Sequence, residues 1–401
     1  MKVLEISECF PNKFRPVTGE FVYKHAKALS KYCSVIVVVP LRLIPPREIF
    51  SFNIIKSFSN LVSWYCKLRD TKNIDEGNLK VYYFRYFSLP RPGFEISESK
   101  LLIFFYYNHL KKLIDKFNPD ILYSHWIRPW AGILSKYAAE KKLPLYIDHH
   151  EDIPTLKKLF PENYSDFLNV FDKADKIIVH SALNKEELSK EKPELKNIEI
   201  VYLGQNFQIP ESAKIFNSGK IKIICVSHLN EKRKNIDTLL HAFKFIKEKS
   251  NAELIIIGGG IHKSNYEELA ENLSIKNEVI FAGSKSQNEL NEFYDNADIF
   301  VLPSYPEAFG IVFIEALSKG LPVVACEGSG GGEELKLLGY DTVLVKPFSE
   351  KDLSEAVLTL ISDKERMKRM SVAGKKIVRE HFTWEKNAND TFNILKANKI
   401  K

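Results

Sequence analysis

The 401-residue sequence contains little that would staple it, anchor it or repeat it. Cysteine is scarce: Cys9, Cys33, Cys66, Cys225 and Cys326 form an odd set with no C-x-x-C pair and no histidine nearby at ligand spacing. They read as reduced, cytosolic thiols rather than a disulfide framework. No apolar run approaches the roughly 18 residues a spanning helix needs, the richest segment, 101–107, being far too short. The opening MKVLEISECF passes straight into a strand pattern without the basic and apolar regions of an export signal, so a cytoplasmic location is expected. Solenoid repeats and low-complexity tracts are absent. Charge of one sign does not dominate either: 58 basic against 51 acidic residues give +7, spread along the chain. That balance favours an anionic ligand or surface, and the basic residues do not interleave with aromatics on one stripe, so no nucleic-acid partner is expected.

What is present is the composition of a globular protein, 45% hydrophobic and 27% charged, long enough for about two domains. Short apolar runs alternate with amphipathic stretches, the pattern of β-α-β units and buried parallel sheets, so the fold class is α/β. Strands are expected at 3–6, 35–39, 81–84, 121–123, 145–147, 177–179 and 198–201, then at 221–226, 253–257, 279–281, 299–302, 323–325 and 342–345. Between them LGQNFQIPESAKIFNSGK, 203–220, lacks periodicity and reads as a linker. After Pro347 the chain turns helical, with segments at 363–380 and 384–396. One stretch fits no strand: 50–68 carries Phe50, Ile54, Phe58, Leu61, Trp64, Tyr65 and Leu68 at helical spacing, with Lys56, Lys67 and Arg69 off the stripe. Such a helix packs on its own domain or serves as a lid or a face toward an acceptor or a lipid headgroup layer.

The strongest chemical signal is LPSYPEAFGIVFIEALSKGLPVVACEGSGGG, 302–332. A strand ends, Pro303 and Pro306 stiffen a loop, and a helix is expected to begin near Ala308 or Phe309 with Glu307 at its entrance. First-turn amides, here Phe309, Gly310 and Ile311, have no intrahelical acceptor and suit sugar hydroxyls or phosphate oxygens, and Gly310 allows close approach. Glu315 lies four residues after Ile311, on the same face, where a carboxylate accepts a ribose diol.

This pattern, E-A-F-G-x-x-x-x-E-A followed by S-K-G-L-P-V-V, resembles the signature of glycosyltransferase family 4, the retaining, nucleotide-sugar-dependent enzymes of the GT-B fold. The resemblance implies that Glu307 with the amides of Phe309 and Gly310 holds the transferred sugar and that Glu315 holds the nucleotide ribose. In VSHLNEKRKNIDTLLHAF, 226–243, Lys234 aligns with the family's diphosphate-binding lysine, whereas His228 stands where an arginine is usual, and Arg233 and Lys232 offer themselves as substitutes. Gly258, Gly259 and Gly260 resemble the family's glycine turn. A dinucleotide fingerprint would need a further glycine where Lys263 stands, so a nicotinamide cofactor is not expected. Gly328 to Gly332, with Glu333 and Glu334, resembles the turn beside the donor, a flexible hinge being the alternative. In the first half, Thr18 and Gly19 precede a helix near Glu20 and match the N-terminal glycine loop. In IDHHED, His149 and Asp152 repeat the family's H-x-x-D, which implies a donor-sugar contact for His149 and an orienting role for Asp152; His149 and His150 can equally cap the following turn. His125, in YSHW, is a weaker candidate near the acceptor.

The implied architecture is two Rossmann-like domains facing each other across a cleft. Residues 1–204 would form the acceptor domain, joined by a returning helix at 382–401 that contains Trp384, and 205–381 the nucleotide-sugar-binding domain. The implied reaction moves a sugar, a hexose by expectation, from a UDP- or GDP-sugar to a hydroxyl of a glycan or lipid-linked acceptor, in cell-surface polysaccharide or glycolipid synthesis. Lys234, Glu307 and His149 would be central to catalysis. No cofactor is expected, and no D-x-D pair stands at a donor strand end, so no required metal is expected either. A nucleotide-sugar epimerase or hydrolase of the same fold, or a non-catalytic glycan-binding protein, remains open at this point.

Overall fold

The computed structural model describes residues 1–16, 18–45, 53–87, 95–127, 129–151, 153–159, 164–205, 207–212, 214–216, 219–307 and 309–397. The chain divides into two compact units. Unit 1 comprises Met1–His180, Leu188–Gly204 and the helix that starts at Trp384, and unit 2 comprises Ser181–Glu187 and Gln205–Thr383.

Unit 1 is built on β1 (Lys2–Ile6), β2 (Ser34–Arg42), β3 (Ile74–Glu76), β4 (Leu79–Tyr86), β5 (Ile121–His125), β6 (Leu145–Asp148), β7 (Lys176–Val179) and β8 (Ile198–Ile200). Their order in the sheet is β3-β4-β2-β1-β5-β6-β7-β8, parallel except for β3 against β4. Near-continuous Val, Ile and Leu runs such as SVIVVVPLR can be buried on both faces, and β2 is buried along most of its length. The order reverses between β1 and β5, so the loops after those two strands flank a topological switch point, where open α/β sheets place their ligands. The last helix, Trp384–Ala397, contributes Ala388 and Leu395 to the core that holds Val22 and Ala26 of the helix Glu20–Leu29. A Cβ on Gly204 would stand 2.5 Å from the Trp384 ring, so only glycine lets the chain pass there.

β3 stands outside the expected strands: it is a three-residue antiparallel edge strand, mostly exposed and without an apolar run. The helix expected at 50–68 is observed as Ile54–Arg69, while Phe50 lies outside the described residues. Its apolar residues do not share one face. Trp64 and Leu68 are buried with Leu61 packed against the same core, whereas Ile54, Ile55, Phe58, Val62 and Tyr65 point outward, Ile54 being 84% and Ile55 82% exposed.

Unit 2 has six parallel strands: β9 (Ile221–Val226), β10 (Ala252–Ile257), β11 (Val279–Gly283), β12 (Ile299–Leu302), β13 (Val323–Cys326) and β14 (Val343–Val345). They are ordered β11-β10-β9-β12-β13-β14, the doubly wound order of a complete Rossmann sheet, with its switch point between β9 and β12. Phe382, fully buried, has its ring centroid 5.7 Å from that of Phe309 and so belongs to unit 2, while Trp384 opens the segment that packs in unit 1.

Candidate active site

Two loops leave the sheet of unit 2 at its switch point. After β9 the chain runs through His228 into a short 3-10 turn, Lys232–Lys234, ending at Asn235 in the left-handed conformation. After β12 it runs from Pro303 to Gly310. The two are tied together: the Asn235 side-chain amide donates to the Pro303 carbonyl at 2.8 Å, and the Tyr305 amide donates to the Arg233 carbonyl at 2.8 Å. Lys234 is therefore delivered to Glu307. Its Nζ donates to Glu307 Oε2 at 2.6 Å, Ser304 Oγ donates to the same oxygen at 2.7 Å, and Arg233 Nη1 lies 3.6 Å away while donating to the Pro306 carbonyl at 2.9 Å. Both Lys234 and Glu307 are buried. Burial works to raise the Glu307 carboxyl, yet the Lys234 and Arg233 charges outweigh it and hold it below the usual carboxylate value. His228 sits on the exposed side of the turn, its pKa lowered by partial desolvation first and by the Lys234 charge second.

The helix expected from Ala308 or Phe309 begins two to three residues later, at Ile311. Gly310 adopts φ 71° and ψ 77°, a left-handed backbone that interrupts the helical run, and Ala308 is outside the described residues. The first helical bond runs from the Phe313 amide to the Gly310 carbonyl, so the leading amides are those of Ile311 and Val312 rather than Phe309. A Cβ on Gly310 would come within 2.8 Å of the Phe313 ring. Phe309 itself is buried. One turn into the helix, Glu315 is buried and accepts a hydrogen bond from Tyr294 Oη at 3.2 Å.

Glycines let neighbouring loops close on this region. At Gly258, φ 140°, a Cβ would stand 1.8 Å from the Ser227 carbonyl oxygen, and at Gly260 one would stand 2.3 Å from the Leu229 carbonyl carbon. In the run 328–332, Gly330, Gly331 and Gly332 form the buried first turn of the helix Gly330–Leu337. The Gly330 amide donates to the Glu307 carbonyl at 2.8 Å, and a Cβ on Gly331 would lie 2.0 Å from the Phe309 carbonyl oxygen.

In unit 1, Gly19 is the left-handed N-cap of the helix Glu20–Leu29, with no room for a Cβ beside the Cys9 carbonyl. His149 follows β6 with its ring buried edge-on against Phe171 and both ring nitrogens without a hydrogen bond; burial lowers its pKa to about 3, so it is neutral. Asp152 is outside the described residues. His125 ends β5 and His150 follows His149, their facing nitrogens 3.3 Å apart. The site residues that sequence reasoning missed are Ser304, Asn235 and Tyr294. None belongs to a spaced motif, and each acts by orienting a charged or backbone group already singled out.

Residues 61–208 match the family model described as Glycosyltransferase Family 4, and residues 208–377 match that described as Glycosyl transferases group 1. An uncharacterized glycosyltransferase of Methanocaldococcus jannaschii is 26% identical over 302 residues, 71% of this chain and 76% of that protein. A GDP-mannose-dependent alpha-(1-6)-phosphatidylinositol monomannoside mannosyltransferase of Mycobacterium tuberculosis is 31% identical over 183 residues, 44% of this chain and 47% of the relative. Among solved structures, sucrose-phosphate synthase of Thermosynechococcus elongatus superposes with a TM-score of 0.77 at 18% identity, over 100% of this chain and 99% of the other. The two Rossmann-like units therefore define a glycosyltransferase of the GT-B fold. Within that class, the chain belongs to glycosyltransferase family 4.

Proposed function

We propose that unit 2 binds a nucleoside-diphosphate sugar, UDP- or GDP-linked, and that the enzyme transfers the sugar with retention to a hydroxyl of a lipid-linked or glycan acceptor. The observation that carries this reading is the buried Lys234–Glu307 pair, with Arg233 beside it, at the end of β9 and β12. In the ligand-free chain Lys234 is neutralised by Glu307. A diphosphate brings enough negative charge to compete for that ammonium, and Arg233 adds a second cation within reach. As the glycosidic C–O bond breaks, charge accumulates on the departing phosphate; one cation about 4 Å away contributes roughly 4 kcal/mol at an effective dielectric of 20. The acceptor oxygen forms the new bond to the anomeric carbon on the face the phosphate leaves, and its proton passes to the phosphate. Glu307, released from Lys234, is then available to accept sugar hydroxyls, with the leading amides of the helix Ile311–Ser318 beside it. His149 stays outside this assignment because its ring is buried.

Glu315 is assigned to the nucleotide ribose, its carboxylate oriented by Tyr294. Glu315→Ala is expected to weaken UDP or GDP binding about tenfold, the loss of one or two hydrogen bonds to a charged acceptor, with little change in turnover at saturating donor. Calorimetric titration checks this, and unchanged affinity for both nucleotides would remove Glu315 from the site.

A lipid-linked acceptor is favoured by the outward apolar face of the helix Ile54–Arg69, flanked by exposed Lys56, Lys67 and Arg69, and by the phosphatidylinositol monomannoside in the mycobacterial relative's name. Among the described residues no helix is long and apolar enough to cross a membrane, and all five cysteines are free, as in a reducing compartment. We infer that the enzyme works on the cytoplasmic side, held peripherally at anionic lipid through the outward face of the helix Ile54–Arg69. Replacing Ile55 and Phe58 together by serine is expected to reduce co-sedimentation with vesicles containing anionic phospholipid at least about tenfold, given about 1.5–3 kcal/mol for each buried side chain. Equal sedimentation of variant and wild type would contradict the membrane role.

A further inference from the structure

Unit 1 contains a polar cluster that the donor site proposed for unit 2 does not include. Glu5 interrupts the apolar strand β1 and is fully buried; His25 comes from the helix Glu20–Leu29 and His125 from the end of β5, both buried. His125 Nε2 lies 3.3 Å from Glu5 Oε2, and His25 Nε2 lies 3.6 Å from Glu5 Oε1. One donor atom from each of the three residues falls within 4.8 Å of the others. Glu5 Oε1 and His25 Nε2 have no hydrogen-bond partner, although both are buried.

The opposite nitrogen of each imidazole is already engaged. His25 Nδ1 is 2.7 Å from Asn387 Oδ1, and because Asn387 Nδ2 donates to the Tyr202 carbonyl at 2.8 Å, the amide oxygen faces the ring and Nδ1 is the donor. His125 Nδ1 lies 3.3 Å from Asp148 Oδ2, an oxygen that also accepts from Tyr123 Oη at 2.9 Å. With its Nδ1–H directed to Asn387, His25 turns the Nε2 lone pair toward Glu5, whereas His125 faces a carboxylate from each nitrogen and bridges the two when protonated, or presents Nε2 to a cation when it is not. Outer amides and carboxylates placed as Asn387 and Asp148 are here are the groups that orient histidine ligands. Around a tetrahedral zinc ion with bonds of about 2.0–2.1 Å, adjacent donor atoms stand about 3.3–3.4 Å apart; here each imidazole Nε2 stands 3.3 or 3.6 Å from one of the two Glu5 oxygens, so small side-chain shifts would bring the three donors around one ion. Asp148 is already faced by His180 Nε2 at 2.9 Å and His150 Nε2 at 3.4 Å, whereas Glu5 faces the rings of His25 and His125, between which a divalent cation would offset its charge.

We propose that Glu5, His25 and His125 bind a divalent transition-metal ion, zinc by the chemistry of the donors, as a structural tie in unit 1. Two imidazoles and a carboxylate suit zinc better than magnesium or calcium. The ion replaces any proton on the two Nε2 atoms, which is released to solvent. It joins β1, β5 and the helix Glu20–Leu29 directly and reaches the helix Trp384–Ala397 through Asn387. This proposal departs from the expectation, drawn from the sequence, that no metal is required.

The test uses the full chain, stripped with chelator, dialysed and titrated with Zn²⁺ or Co²⁺ alone. The expected result is one tightly held equivalent, a rise in Tm with Zn²⁺, and visible absorption of four-coordinate Co²⁺. Asn387→Ala, which leaves the three ligands intact, is expected to weaken Zn²⁺ binding about 10- to 100-fold, and His25→Gln to abolish the Co²⁺ spectrum. Because the wild-type measurement needs no variant, poor folding of His25→Gln does not blunt it. Failure of the wild type to retain a stoichiometric ion, or an unchanged Co²⁺ spectrum and affinity in both variants, would overturn the proposal. Nucleotide binding by unit 2 is measured separately and stands or falls independently.

Discussion

Replacing Lys234 by alanine is expected to lower kcat about 100- to 1000-fold, the usual effect of removing one preorganised charge from a developing anion. The structure adds a second consequence, because Lys234 neutralises a buried carboxylate. Without it Glu307 keeps Ser304 and the more distant Arg233, and breaking a buried pair of this kind costs roughly 3 kcal/mol. The two effects separate in the double variant. Adding Glu307→Gln to Lys234→Ala removes the stranded charge and restores most of the lost stability, measured by denaturant unfolding, while turnover stays low. Recovery of turnover along with stability would show that the lysine served only the fold.

Gly258→Ala carries the second large expected effect. At φ 140° its Cβ would lie 1.8 Å from the Ser227 carbonyl oxygen, backbone that cannot yield without moving the turn that leads to Lys234. Backbone strain and overpacking together are expected to cost about 3 kcal/mol or more, with loss of nucleotide binding. Gly283 supplies the control: it is also left-handed, at φ 70°, but a Cβ there would meet nothing within 4 Å. Gly283→Ala should therefore cost only about 1–2 kcal/mol and leave nucleotide affinity intact. Equal effects in the two variants would show that the close approach at Ser227 is unimportant.

How far the sequence could be read depended on how local each cause is. Strands such as β2 and β9 follow from apolar runs that can be buried only inside a parallel sheet, so their positions were legible and the repeated β-α pattern led to the α/β class, while the two Rossmann-like domains came from the family resemblance. β3 was not legible because pairing, not composition, makes it a strand. The helix start was misplaced because a single left-handed glycine, Gly310, moves it to Ile311. Lys234 was named from the family resemblance and Glu307 from its place at a helix entrance and the same resemblance, but their mutual neutralisation depends on β9 lying beside β12, a fact of topology. The same limit hid the grouping of Glu5 and His25 with His125, which alone of the three was singled out, as a candidate near the acceptor: they are distant in sequence and meet only because β1 pairs with β5 and the first helix returns over them. A glutamate inside VLEI, where every neighbour is apolar, was the one local sign of that cluster.

The most direct test of the central claim is a crystal structure of the full chain with UDP or GDP. The expected complex has the diphosphate in hydrogen-bond reach of Lys234 Nζ and the Arg233 guanidinium, with Lys234 drawn away from Glu307. A nucleotide bound at another surface, or seated here while Lys234 remains on Glu307 and makes no phosphate contact, would contradict the account.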